Sequence, residues 1–68
     1  MNHHQALERA GQLLAPLAPA LTPANPLHLR LRCILAREIL LSRASEAERL
    51  GDTQAAENLK AQSRQITG

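Results

Sequence analysis

Four side chains in this sequence carry the donor atoms for soft-metal or nucleophilic chemistry: His3, His4, His28 and Cys33. His28 and Cys33 stand five residues apart, which turns them about 140° from each other on a helix. The i, i+4 spacing that brings two ligands to one face is missing. A reactive thiolate also needs an activating base in an electropositive pocket. His28 is the one nearby histidine, and it lies off the face of Cys33. The spacing therefore reads Cys33 as a small buried hydrophobe and His28 as a partly exposed residue of a first helical turn. His3 and His4 have no further ligands at zinc-site spacing. Neither a metal nor a cofactor is expected.

The carboxylates Glu8, Glu38, Glu46, Glu48, Asp52 and Glu57 form no pair that implies acid–base work. Glu46 has Arg43 and Arg49 one turn to either side, and Glu57 precedes Lys60 by three residues. These are ordinary helix-surface pairs, worth a few tenths of a kcal/mol each. No residue is assigned a catalytic role, and the chain is not expected to be an enzyme. Arg30, Arg32, Arg37, Arg43 and Arg49 could instead follow a phosphate backbone. They are divided between two seams of one helix and alternate with Glu38, Glu46 and Glu48. No aromatic side chain is present to stack on bases.

The elements that must hold these groups are short. Sixty-eight residues make at most one domain, in a size range where a single core is marginal without staples or association. One cysteine excludes an intrachain disulfide. With no Phe, Tyr or Trp, the core must be built from Leu, Ile and Ala. An apolar fraction of 44% is too high for a disordered chain, and a net charge of +2 is mild and by itself decides little about nucleic-acid binding. No apolar run reaches about 18 residues, so no membrane span is expected. Met1-Asn2-His3-His4 lacks the basic-then-apolar layout of a secretory signal, and a cytoplasmic location is the expectation.

Three segments follow along the chain, read as one helical domain over 1–68. Ala6, Ala10, Leu13, Leu14 and Leu17 repeat at 3–4 spacing and predict a helix over 4–15. Gly11 reads as an ordinary helix-interior position, and Pro16 should end or kink the helix. The connection 16–25, with Pro16, Pro19 and Pro23, should be stiff and extended, with a short turn near Pro19 to Leu21. Asn25-Pro26 is a cap followed by a first-turn proline, opening a helix over 26–50. Gly51 supplies a left-handed terminator and Asp52 a cap for a last helix over 53–67. Gly51 and Asp52 thus form the structural turn of an antiparallel helical hairpin.

Projected at 100° per residue, the long helix shows two apolar stripes. One holds Leu29, Cys33, Ala36, Leu40, Ala44 and Ala47. The other holds Leu27, Leu31, Ile34, Leu35 and Leu41, with Ile39 at its margin. The last helix can cover the C-terminal half. The N-terminal half needs two neighbours, and the first helix supplies only one. Leu27, Leu31, Ile34, Leu35 and Leu41 are therefore the expected partner-binding residues, facing another protein or a second copy of the chain.

Ser45 to Ala61, SEAERLGDTQAAENLKA, resembles the inter-helix turn of a tetratricopeptide-type hairpin: small residues, a Leu-Gly-Asp turn, then paired alanines. The resemblance covers about a quarter of the chain and implies a helical hairpin. The Trp, Tyr and Phe of that repeat are absent, and one unit makes no array. The expected fold is thus all-α, completed by oligomerisation. The expected function is protein–protein interaction of the adaptor, co-chaperone or inhibitor kind, with a small dimeric DNA-binding regulator as the alternative.

Overall fold

A computed structural model, describing residues 1–67, contains three α-helices and no strand among the described residues: α1 (His3–Leu17), α2 (Pro26–Arg49) and α3 (Thr53–Arg64). The all-α reading holds. Each helix opens on a side-chain cap. The Asn2 carboxamide accepts the Gln5 backbone N–H at 2.8 Å, and the Gln5 side chain accepts the Asn2 N–H at 3.0 Å, a reciprocal capping box. Asn25 Oδ1 accepts the Leu27 N–H at 3.0 Å, with Pro26 in the first turn. Asp52 Oδ1 accepts the Ala55 N–H at 3.1 Å.

Pro16 does not end α1, which continues to Leu17. The proline forfeits one bond, to the carbonyl of exposed Gln12, and the Ala18 N–H still donates to the Leu14 carbonyl at 2.9 Å. So close to the helix end, one missing bond is tolerated. The short turn expected near Pro19 to Leu21 is present, and a second turn at Pro23 makes the rest of the connection tighter than the largely extended segment expected. Pro19 and Pro23 each take the second position of a β-turn, where their fixed φ is favourable. The Leu21 N–H closes the first turn on Ala18 O at 3.0 Å, and the Asn25 N–H closes the second on Thr22 O at 3.0 Å.

α2 ends as Gly51 predicts. Gly51 has φ +82, its N–H donates to Glu48 O at 3.0 Å, and the Asp52 N–H reaches back to Ala47 O at 2.8 Å. These two bonds are the Schellman pattern, which satisfies carbonyls that the last helical turn would leave open. A Cβ built on Gly51 meets nothing within 4 Å, so any penalty there is backbone strain alone. Gly51→Val should therefore lower stability by about 1–2 kcal/mol in thermal melts followed by circular dichroism, and Gly51→Asn by less. Equal stability of all three proteins would show that the turn does not need the left-handed conformation.

Both short helices pack on α2, and they meet near its middle. There the Gln62 carboxamide oxygen accepts the backbone N–H of His3 at 2.9 Å and lies 2.7 Å from His3 Nδ1. The core at this junction joins Ala6, Ala10, Cys33, Ala36, Leu40 and Ile66, with Leu7, Leu35, Ile39 and Leu59 against its edge. α3 stops at Arg64, three residues short of the expected end, and Ile66 folds past it into the core at 4% exposure. The resulting body measures 41 × 21 × 13 Å with a radius of gyration of 12.8 Å. A compact chain of this length would have a radius near 11 Å. The molecule is a narrow slab, one long helix carrying two short ones.

Lys60 ties α3 to α2 through an ion pair with Glu48, and lies 3.9 Å from Glu57. The hydrogen bond and charge of Glu48 raise the Lys60 pKa above the ordinary 10.5. The folded state thus holds this proton more tightly than the unfolded chain. The contribution is complete below pH 10.5 and is lost as the pH rises through the folded value, and salt screens it because the pair is exposed.

Candidate interaction surface

The groups with chemical potential do not converge. Cys33 is 5% exposed and sits in the core among Ala6, Ala10, Ala36 and Leu40. The rings of His3 and His4 lie with centroids 4.1 Å apart and their planes tilted by 38°, and His3 is held by Gln62. Among the described residues, no group of three His, Cys, Asp or Glu side chains could hold a metal ion. No described helix is long and apolar enough to cross a membrane.

His28 is buried at 8% exposure, not partly exposed as its place in the first turn suggested. Leu29, which the spacing assigns to the buried stripe, is 58% exposed. One cause explains both. α1 and the crossover approach the first turns of α2 from the side of His28 and Arg32, which share a groove wall with Gly11, Gln12, Leu21 and Thr22. That side is rotated away from Leu29.

Arg32 is a tie between helices. Its Nε donates to the carbonyl of Leu7 at 2.7 Å, and the side chain passes directly over Gly11. A Cβ on Gly11 would stand 3.3 Å from Arg32 Nε, closer than such contacts normally come. Gly11 is therefore the gap through which the guanidinium reaches the α1 backbone, and not an ordinary interior glycine. Its lack of a side chain was the one signal of this approach in the sequence. Gly11→Ala removes a helix penalty of about 1 kcal/mol but crowds Arg32, so it should leave stability nearly unchanged. With Arg32→Met in place, the same change should stabilise by about 1 kcal/mol, a coupling that a double-mutant cycle measures by melting. Simple additivity would remove this role of Gly11.

The remaining arginines are scattered. Arg49 pairs with Glu46 on the exposed surface, Arg37 is half-buried and engaged within the chain, and Arg30 and Arg43 lie exposed on different sides of α2.

The largest unused feature is apolar. Leu27 is 49% exposed, Leu31 36%, Ile34 50% and Leu41 42%, all on the side of α2 turned from α1 and α3. Leu35, the fifth expected partner residue, is half-buried against the edge of the core and flanks a shallow groove with Glu38, Ile39 and Ser42. α2 makes the face this way because its first half is apolar on both sides, while only one side receives a neighbour. Gly51 and Asp52 lie at the far end of the hairpin, both exposed, and serve the turn. Comparison with known protein families, with curated proteins and with solved structures gives no match to this chain.

Proposed function

We propose that this chain is a small helical interaction module whose working surface is the bare face of α2. The observation that carries the reading is the row Leu27, Leu31, Ile34 and Leu41, large aliphatic side chains left one-third to one-half exposed on a single face. Isolated exposed leucines are normal on any protein, whereas a contiguous row along one helix marks a site that another surface covers. A helix presenting apolar side chains at 3–4 spacing is the usual material of helix-to-groove and helix-to-helix recognition. Adaptors, co-chaperones and inhibitors work through such faces. The scattered arginines, one tied to Leu7 and one paired with Glu46, give a nucleic-acid reading no comparable surface.

The test is Ile34→Asp. Ile34 is half-exposed, so the variant should keep its helical content and melt within about 1 kcal/mol of the parent. Any association of the chain, with itself or with a protein captured from its native cell, should be abolished, because a carboxylate buried without a partner costs several kcal/mol. Arg30→Ala on the rim should change the same association only modestly. Association that survives Ile34→Asp and Leu31→Asp alike would overturn the reading.

A further inference from the structure

We infer that the groove between α1, the crossover and the first turns of α2 binds a small carboxylic acid with an apolar body. The groove lies on the α1 side of α2, away from the bare face, and stands apart from the interaction-module reading. His28 carries the inference. It is only 8% exposed, yet its ring makes no hydrogen bond within the chain. Neither ring nitrogen is sealed from solvent, and the surface that the ring lines is this groove. A buried polar group is costly without a partner, so something in the groove supplies the bond. Water alone can fill that role, but a second set of donors stands beside the ring. Arg32 lies four residues on, on the same face of α2. Its Nε is engaged by the Leu7 carbonyl at 2.7 Å, which holds the guanidinium over Gly11. Among the described residues, its two terminal amino groups have no partner. They form one edge of a planar fork, which a carboxylate matches with two parallel hydrogen bonds.

The rest of the groove narrows the class of ligand. Its volume is about 550 Å³, within the range of small-molecule pockets. Ala15, Pro19, Leu21 and Pro23 give it an apolar wall. The two closed turns at Pro19 and Pro23 set that wall before anything binds, which lowers the ordering cost of binding. The exposed carboxylate of Glu8 borders the same groove and, among the described residues, makes no ion pair with Arg32. Its charge opposes a phosphate dianion more strongly than a single carboxylate. One guanidinium edge, one imidazole and a hydrocarbon wall therefore suit a monoanion with an apolar body.

The experiment is a titration of the unmodified, isotope-labelled chain with sodium benzoate, followed by nuclear magnetic resonance. Saturable shifts should appear at the amides of Gly11 and Leu21, the Nε–H of Arg32 and the ring nitrogens of His28. The dissociation constant should be on the order of 1 mM for so small a ligand. Benzamide, the neutral isostere, should bind at least about tenfold more weakly, because it lacks the charge that the guanidinium edge matches. Acetate keeps the charge without the ring and should also bind at least about tenfold more weakly. Inorganic phosphate should do no better than acetate. Arg32→Met, checked for folding by circular dichroism, should abolish saturation. Arg64→Met, which removes the same charge from α3, should leave it unchanged. Benzamide binding as well as benzoate, or saturation that survives Arg32→Met, would overturn the carboxylate contact. Acetate or phosphate binding as well as benzoate would overturn the apolar body. Shifts at the groove that do not saturate with benzoate would overturn the site itself.

Discussion

Leu40→Ala should destabilise the protein by about 2–5 kcal/mol, lowering its melting temperature by more than roughly 10 °C. Among the described residues, Leu40 is the one large side chain with no measurable exposure, and it stands where α1, α2 and the segment after α3 converge. Its neighbours there include Ala6, Ala10 and Ala36, which are too small to close over the missing atoms. The resulting cavity would stay open, and the cost adds a cavity term to the lost transfer energy. Leu41→Ala, one residue on, should cost less than about 1 kcal/mol, because Leu41 lies 42% exposed on the bare face. Thermal melts of the two variants give the comparison directly. Similar losses would mean that the boundary between core and bare face on α2 is misplaced.

Ile66→Ala should be the second severe change, again about 2–5 kcal/mol, although Ile66 lies outside any helix. The Gln65 N–H donates to Gln62 O at 3.0 Å and the Ile66 N–H to Ser63 O at 3.3 Å, a final tight turn beyond which Ile66 joins the core cluster of Ala6, Ala10, Cys33, Ala36 and Leu40. α1 meets this junction with Ala6 and Ala10, two fully buried alanines that bring little apolar mass of their own, and Ile66 lies in the same cluster with Cys33, Ala36 and Leu40 of α2. Loss of Ile66 should therefore loosen α1 before it loosens the α2–α3 turn. Native-state hydrogen exchange would show this as protection lost first at Ala6 and Ala10. Uniform loss along all three helices would mean that Ile66 only adds to general stability.

The features legible in the sequence were those written in local chemistry. Asn25-Pro26 and Gly51-Asp52 mark their boundaries through backbone demands that few other residues meet, and both are found in place. The stripe Cys33, Ala36, Leu40 and Ala44 is buried, since a 3–4 repeat of small and aliphatic residues leaves a helix one inner side. Five expected partner residues were named from the second stripe; four stand on the bare face, and Leu35 is partly drawn to the core. What escaped depends on how the helices approach each other. The direction from which α1 arrives buries His28, exposes Leu29 and sends Arg32 over Gly11. No periodicity within a single helix encodes that direction. The helical place of Pro16 escaped for a different reason: proline is costly in a helix interior but tolerable in the last turn, and a composition rule does not separate the two.

The alanines in this core have a thermal consequence. Among the described residues, five of the nine buried hydrophobic ones are alanine: Ala6, Ala10, Ala36, Ala44 and Ala56. Such side chains let helices approach closely, but each hides little hydrocarbon from water. Unfolding then hydrates less apolar area than in a leucine- or phenylalanine-rich domain, and the heat-capacity increment should fall below the usual value of about 12–15 cal/mol/K per residue. A small increment flattens the curve of free energy against temperature. The fold should consequently lose stability slowly on both cooling and heating, and its calorimetric transition should be broad, with a low enthalpy.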